Sequence, residues 1–589
     1  MISGKENRML TRLVFRLLPV QIMIVAMGSI NSLVDGVVAS RCISPTMVGV
    51  VGLYYSMLRV MEAIGAVLLG GTSVLCGRYM GRGEIEKTSG VFSLNLTVTL
   101  LTGTVLTAVS VAAPDVVARV LGANQELEEA LVYYILGYSI GIIPQLLSQQ
   151  LAFFLQLERA SKTGYLGVAA MILMNTGLDI LFVGVWKMNL WGLALATSVS
   201  NWVYFLILFQ HYLGKDRQLA FHPRRASWHE LPELLKIGFS GALLVFCLTI
   251  RSIVINRVLL RFSGGDALSS MTAFNMISGI LLALPLGMGA VVRMLTSVFV
   301  GEEDGKAIQN LISVSLGQVM LMVALIGAAV FLFSHGLAHL YFADTSSQVF
   351  HQTWLLFRIY SICIPMVLFC AVSANYFQAV GRIAFVNVVS VFDGFLSMVI
   401  PALLLAPRLG ATGVWLSLPI GIAMTALLGP LYSIISCRRI PRCLSEWLLL
   451  HQVLKEEGCP RFEGFVQRME DVTVLSEKAG EFCLCHGIER VRSSYCALCV
   501  EEMAGNIVRH GFRNSHHGHS AQVRILIKKR EVLLRMKDDG IPFNPRERAE
   551  LLSGEKPYEH IGIRMIFKLA SEVEYQNLMG LNVLSIRIG

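Results

Sequence analysis

Two carboxylates stand where a carboxylate is hard to keep. Asp35 and Asp179 fall inside long apolar stretches, and a charged side chain at the centre of a bilayer costs about 2.5–3.5 kcal/mol on insertion scales. Each must face a protein interior or water, which makes both candidates for function. Asn175 lies one helical turn before Asp179 and shares its face. Glu158, at the end of one stretch, and Thr197, within another, would complete an oxygen-lined pocket of the kind that holds a proton or a hard monovalent cation. The plainer reading of Glu158 pairs it with Arg159 or Lys162. A second set of reactive residue types sits near the C-terminal end. Glu502, Asn506 and His510 recur every four residues on one helical face, and Asp538 and Gly540 in DDGIPFNP and Gly562 in HIGIR follow.

Two different kinds of chain position these sets. The 589 residues are 54% hydrophobic and only 15% charged, with a mean hydropathy of +0.62. A soluble chain carries nearer 25% charge, so this is a membrane protein, and soluble, collagen-like and wholly disordered readings are excluded. Up to about residue 437, apolar windows long enough to cross a ~30 Å hydrocarbon core alternate with short polar breaks. They predict twelve spans, near residues 14–38, 48–71, 90–113, 131–157, 162–184, 190–212, 237–260, 266–298, 308–334, 354–379, 384–406 and 412–436. Lys5, Arg8, Arg12, Arg78, Arg82, Lys87, Lys162, Arg217, Arg382 and Arg438 fall in breaks on one side, whereas the other side holds Arg41, Arg119, Lys187, Arg261 and Arg408. The positive-inside rule then places both termini in the cytoplasm of a cell (inner) membrane. The net charge of +9 reflects those loops and implies no nucleic acid. Residues about 220 apart match, Gly81 with Gly301 and Phe154–Gln156 with Tyr376–Gln378. Two parallel six-helix lobes, 1–220 and 221–436, are expected around a central cleft, which is a transporter plan.

The stretch Asn175–Gly184 (NTGLDILFVG), the stretch Trp191–Ser200 (WGLALATSVS) and the early Leu33–Gly36 (LVDG) resemble the fifth, sixth and first spans of the multidrug and toxic compound extrusion (MATE) transporters. The resemblance covers roughly residues 10–436. It implies a cation-coupled antiporter in which Asp35, Glu158, Asn175, Asp179 and Thr197 match the N-lobe coupling site in type and spacing, with H⁺ or Na⁺ as the coupling ion. A second branch of that family places acids in the seventh and tenth spans. Here the seventh carries Arg251 and Asn256 and the tenth, Ser361 to Gln378, has no acid, which argues against sodium coordination by the C-lobe. Arg59 and Glu62 share a face of the second span at i, i+3 and read as an ion pair.

Beyond a linker at 437–464, residues 465–589 read as an α/β sandwich. Gln522–Lys528 and Val532–Lys537 alternate as half-buried strands do, and 488–511 reads as a helix ending at Gly511. The three boxes around Glu502–Asn506–His510, Asp538–Gly540 and Gly562 resemble, in order and spacing, the ATP-binding domains of anti-sigma-factor serine kinases. That resemblance implies ATP and Mg²⁺ as ligands. Asn506 would hold Mg²⁺ through its amide oxygen, Glu502 would act as general base or water positioner, and Asp538 would accept from the adenine amino group. Gly540 and Gly562 would let the backbone approach the nucleotide, and 546–560 would form a lid. The last box departs from the expected Gly-x-Gly. Glu446–Glu457 reads as a linker helix whose His451 lacks the acidic neighbour of a phosphoacceptor. Cys483, Cys485, Cys496 and Cys499, which a spacing argument would offer to zinc, read as small buried thiols, and His516, His517 and His519 as a solvated loop.

The expected function is cation-coupled export of small organic or cationic compounds, with the bilayer and a small-molecule substrate as partners. The tail would regulate the transporter through ATP and a cytoplasmic regulatory protein. It would not power transport, because Gly-x-x-x-x-Gly-Lys-[Ser/Thr] is absent from it. The competing readings are a membrane sensor coupled to a serine/threonine kinase and a lipid-linked sugar flippase.

Overall fold

In a computed structural model the described residues are 2–43, 47–122, 125–158, 160–214, 217–342, 344–454, 459–512, 519–528, 531–542, 544–545 and 561–589. Among them, ten helices are long and apolar enough to cross a membrane, and twelve if each of two pairs bent by 48° is one span. The bent pairs are the fourth and tenth predicted spans, Gln125–Ser139 with Ile142–Leu157 and Gln348–Ser361 with Cys363–Ala379. The helix Leu231–Leu281 takes in the seventh span and the start of the eighth. Its backbone breaks at Gly264, whose φ of 76° and ψ of −168° no other residue type adopts freely. Ala283–Gly301 completes the eighth.

The membrane unit comprises Arg16–Gln156 and Ala160–Val453, and the tail belongs to a second unit. Within the membrane unit the second span, Met47–Arg82, packs against Leu231–Leu281 and Ala283–Gly301 of the other lobe. The approach is close enough that backbone touches backbone. A methyl group on Gly71 would overlap the Leu234 carbonyl, one on Gly238 the Val67 carbonyl, one on Gly81 the Val298 carbonyl and one on Gly301 the Arg78 carbonyl. Gly81 and Gly301, the repeat-related pair, meet each other where the lobes cross. Arg78 ties the same end by donating from Nη2 to the Ala379 carbonyl at 2.9 Å. All these contacts lie at the end of the bundle that carries Arg78, Arg82 and Arg382, called here the basic end.

Several spans contain a π-helical turn, among them Ala39–Ile43 at the end of the first and Ser315–Val319 in the ninth. The fifth, Ser161–Asp179, runs into Ile180–Val185; the eleventh, Ile383–Val391, runs through Phe392–Leu396 into Ser397–Leu409. Such turns insert a residue into the helical ladder and recur at functional sites. After the twelfth span, Ala411–Cys437, the described part of the expected linker helix, 446–454, lies in two short turns, Leu444–Trp447 and Leu450–Val453, and 455–457 lie outside the described residues. They are separated at Leu449, which has a φ of 52°. Ser433 Oγ donates to the Trp447 carbonyl at 2.7 Å, and Arg439 pairs with Glu446 at 2.6 Å. These contacts fold the linker back onto the lobe.

The tail is a two-layer α/β sandwich. Five antiparallel strands lie in the order β1-β2-β3-β5-β4, with β1 Arg461–Val466, β2 Ala521–Lys528, β3 Glu531–Asp538, β4 Glu572–Leu578 and β5 Leu581–Ile588. The helices Met469–Cys485, Arg490–Asn506 and Ile561–Leu569 supply the second layer. One core joins the layers, with Val472, Leu475, Cys496, Val500 and Met503 from the helices and Val523, Ile525, Leu534 and Ile586 from the sheet. Asp471 starts the first helix by accepting from the Gln467 and Arg468 amides at 2.9 and 3.0 Å, which satisfies donors that a helix start leaves open. Cys483, Cys496 and Cys499 are core thiols and Cys485 is exposed. A hydrogen bond between them pushes the Cys483 thiol down and the Cys496 thiol up.

Candidate functional site

The fifth span delivers Asn175 and Asp179 to one place because they are a single turn apart, and the first and sixth spans bring Asp35 and Thr197 to meet them. Asp179 and Asn175 are 0% exposed, Thr197 4% and Asp35 7%. Asn175 Nδ2 bridges the two acids, donating to Asp35 Oδ1 at 3.0 Å and to Asp179 Oδ2 at 3.1 Å. Asp179 and Thr197 both lie within hydrogen-bonding reach of Asp35. No basic side chain is among the groups that act on either carboxyl. Two oxygens, Asn175 Oδ1 and Asp179 Oδ1, are buried with no hydrogen-bond partner. Buried oxygens normally find a donor, so an acid pair with two spare oxygens and no base has the composition of a site for a proton or a monovalent cation.

Tyrosines back the pocket. Tyr54 packs its ring on Tyr134 and Tyr138 at centroid distances of 5.1 and 4.7 Å, and Tyr138 Oη donates to Gln145 Oε1 at 3.1 Å. The sequence reading did not single these out, although the i, i+4 spacing of Tyr134 and Tyr138 could have flagged a shared face. Glu158 is not brought to the pocket. It sits in the turn before Ser161–Asp179, a helix of 19 residues. At ~1.5 Å per residue that puts the helix's first turn and Asp179 roughly 27 Å apart, so Glu158 lies at the basic end. Its suggested partner Arg159 is outside the described residues.

The C-lobe holds a charged site that no sequence spacing announces. The seventh span carries Arg251 and the tenth has no acid; the acid is Asp393 in the eleventh, on the π-helical turn Phe392–Leu396. Arg251 Nη1 donates to the Asp393 carbonyl at 3.1 Å, and its charge acts on the Asp393 carboxyl, with Thr425 also within hydrogen-bonding reach.

In the tail, Glu502 and Asn506 lie half-buried along Arg490–Asn506, and His510 is exposed on the π-helical turn Ile507–Gly511 that continues it. The second box closes on the first. The Ile541 amide donates to the Gly511 carbonyl at 2.9 Å, and a methyl group on Gly540 would lie 2.6 Å from that same oxygen. Asp538, 4% exposed at the end of β3, accepts through Oδ1 from the Gly540 amide and from Asn582 Nδ2, both at 2.8 Å. Burial pushes its carboxyl up to about 6 against those two bonds. Asn582 is itself fixed by donations from Asn577 Nδ2 at 2.7 Å and Tyr575 Oη at 2.9 Å. A lone asparagine in a strand gave no sequence signal for this role. Gly562 opens the helix Ile561–Leu569, while the expected lid over 546–560, His516 and His517 lie outside the described residues. His519 stacks on Phe512 and pairs with Asp539 Oδ1 at 3.1 Å.

Comparison with known proteins places both parts. The family profile MatE matches residues 21–181 and 242–403, more than half of the chain, and a histidine kinase-like ATPase domain profile matches 465–588. Among curated relatives, the probable multidrug resistance protein YoeA of Bacillus subtilis is 20% identical over 415 residues, covering 68% of this chain and 88% of its own. The multidrug export protein MepA of Staphylococcus saprophyticus is 22% identical over 392 residues, covering 65% and 84%. Two solved structures share the fold with TM-scores of 0.67 and 21% identity. One is the outward-facing conformation of a multidrug resistance MATE family transporter of the MOP superfamily, covering 74% of this chain and 97% of that one. The other is MATE in complex with MaL6, covering 73% and 96%. The chain therefore belongs to the MatE family of multidrug efflux transporters, and it carries a histidine kinase-like ATPase domain as its C-terminal part.

Proposed function

We propose that the protein exports small organic or cationic compounds in exchange for H⁺ or Na⁺, and that the coupling ion binds at Asp35, Asn175 and Asp179 with Thr197. The observation that carries this is the buried acid pair with two unpartnered oxygens and no base beside it. Two carboxylates at that distance repel, and one proton or one monovalent cation removes the repulsion. Binding there neutralises the pocket and allows the N-lobe to rearrange, which ties substrate release to the ion gradient. Glu158, at the other end of the fifth span, is left out of the coupling set. With the basic end cytoplasmic, as the positive-inside rule requires, the lobes are closed toward the cytoplasm.

The tail would bind ATP with Mg²⁺, Asn506 holding the metal, Glu502 beside it, and Asp538 taking the adenine amino group on the carboxylate that Asn582 and the Gly540 amide orient. Its partner would be a cytoplasmic regulatory protein, and its nucleotide state would tune transport. Efflux of a fluorescent cation from everted vesicles under an imposed pH or Na⁺ gradient tests the whole reading. Wild type should transport under one of the gradients without ATP. Asp179→Asn should lose that transport, and Asn506→Ala should lose only the response to ATP. Transport that needs ATP and no gradient, or that survives Asp179→Asn, refutes it.

A further inference from the structure

The second span holds a charged pair that the coupling site does not use. Arg59 Nη1 lies 2.9 Å from Glu62 Oε2, and the two side chains are 51% and 50% exposed. They sit within the membrane-crossing stretch Val50–Arg82, where charges facing lipid are strongly disfavoured. The direction they face follows from helical geometry. Ala66, Val67, Gly70 and Gly71 form the stripe that packs against Leu231–Leu281, and continuing that stripe away from the basic end leads to Ala63, Arg59 and Ser56. Glu62 and Tyr55 flank it on the side of the first span, where Tyr55 is hydrogen-bonded to Ser32. On the facing helix, the stripe through Leu234, Gly238 and Gly241 continues through Thr249, Ser252 and Asn256. Thr249 and Ser252 are exposed, and Asn256 is half-buried. Two polar stripes thus rise from one glycine-tight contact and face each other across the space between the lobes.

We infer that this space receives an organic cation, and that Glu62 is the carboxylate that binds it. Arg59 is the internal cation that the substrate displaces. The pair is exposed, so water screens it and parting it costs little, while a lipophilic cation gains apolar contact with the neighbouring Tyr55 ring and the helix surface. Arg59 keeps Glu62 neutralised when the cleft is empty and competes with substrate when it fills. This inference rests on the transport reading above and assigns its substrate site.

The test uses the full chain in lipid nanodiscs and equilibrium binding of tetraphenylphosphonium, with tetraphenylborate as the anion of the same shape. Glu62→Gln should weaken tetraphenylphosphonium binding by about tenfold or more, Glu62→Asp by less than about threefold, and Arg59→Gln should tighten it by about threefold, because a competitor is gone. In the Asp179→Asn background, which abolishes gradient-driven flux on the transport reading, Glu62→Gln should still weaken and Arg59→Gln should still tighten tetraphenylphosphonium binding relative to that parent. If the pair is only a structural bridge, Glu62→Gln and Arg59→Gln weaken binding alike, and the inference fails. It fails too if Glu62→Gln binds as wild type does, or if tetraphenylborate binds and loses its affinity in Arg59→Gln. Flux that survives Asp179→Asn would overturn the coupling reading while leaving the binding result to stand or fall alone.

Discussion

The two lobes answer the same electrostatic problem in opposite ways. In the N-lobe, a π-helical turn begins beside Asp179, and the buried acids Asp35 and Asp179 are met only by the neutral Asn175 and Thr197. In the C-lobe, a π-helical turn of the eleventh span carries Asp393, with Thr425 near it, and the Arg251 guanidinium supplies the opposite charge. The first arrangement leaves charge balance to something that diffuses in and out. The second closes it with a tethered group. On the proposed reading, two repeats of one architecture hold one site that exchanges an ion and one whose charge the chain itself answers, and coupling is assigned to the lobe that lacks its own cation.

The largest expected effect follows directly. Asp179→Asn keeps the shape and the hydrogen bond from Asn175 but removes the exchangeable charge, so gradient-driven efflux should fall by about a hundredfold or more, a loss of ~2.7 kcal/mol or greater in transition-state terms. Asp393→Asn should leave coupled flux within a few-fold of wild type wherever the protein folds. Equal losses at the two positions would break the comparison.

Next in size is the cost of unmasking the C-lobe acid. Arg251→Met removes the cation that acts on the Asp393 carboxyl and the hydrogen bond to the Asp393 carbonyl, and losing a hydrogen bond from a charged group costs about 1.5–3 kcal/mol. The melting temperature in detergent should drop accordingly. Acid pH should restore it, because a protonated Asp393 needs no partner, and so should the second change in Arg251→Met with Asp393→Asn. A single variant as stable as wild type would mean that Arg251 does not answer Asp393.

How much of this could be read from the chain depends on how far apart the partners lie. Asn175 and Asp179 are four residues apart, so one helical turn announces their shared face, and the apolar windows around them announce their burial. Arg251 and Asp393 are 142 residues apart, and no periodicity links them; each alone reads as an isolated charge in a span. Spacing also misjudged depth. Glu158 falls near Lys162 in sequence and matches the coupling pattern in type and spacing, yet the helix Ser161–Asp179 separates it from Asp179 by a full helix length. In the tail, the Glu502–Asn506–His510 face and β2 and β3 were plain from their periods of 3.6 and 2. The role of Asn582 was not, because its partners Asp538 and Gly540 come from another strand and the turn after it.

Asp538 offers a third answer to a buried carboxyl, with fixed neutral donors bonded to it, and it sharpens the contrast at the level of about tenfold. Burial lifts this carboxyl to about 6, above the usual value near 4. Below pH 6 it is largely protonated and no longer a charged acceptor for an amino group, so nucleotide affinity should fall by up to about tenfold between pH 7 and pH 5. The sign for stability is the reverse. The folded tail holds this proton more tightly than the unfolded chain does, so the stabilisation is fully present below pH ~4 and fades as pH rises through 6. Titrating nucleotide affinity by calorimetry across that range checks the first, and Asp538→Asn should flatten the profile.

The smallest expected effect separates the lobes most finely. The Thr197 hydroxyl lies within hydrogen-bonding reach of Asp35 and also of the Leu193 carbonyl, at 3.3 Å. Thr425 stands in the same relation to Asp393, donating to the Gly421 carbonyl at 3.1 Å. Each alanine substitution removes one hydrogen bond, worth about 1 kcal/mol. In the N-lobe that energy is felt by the exchanging ion, so Thr197→Ala should raise the ion concentration for half-maximal flux by about threefold to fivefold. In the C-lobe it is felt only by the fold, so Thr425→Ala should lower the melting temperature slightly and leave the ion dependence unchanged. An equal shift in ion dependence for both would mean that Asp393 exchanges ions despite Arg251, and that the division between the lobes does not hold.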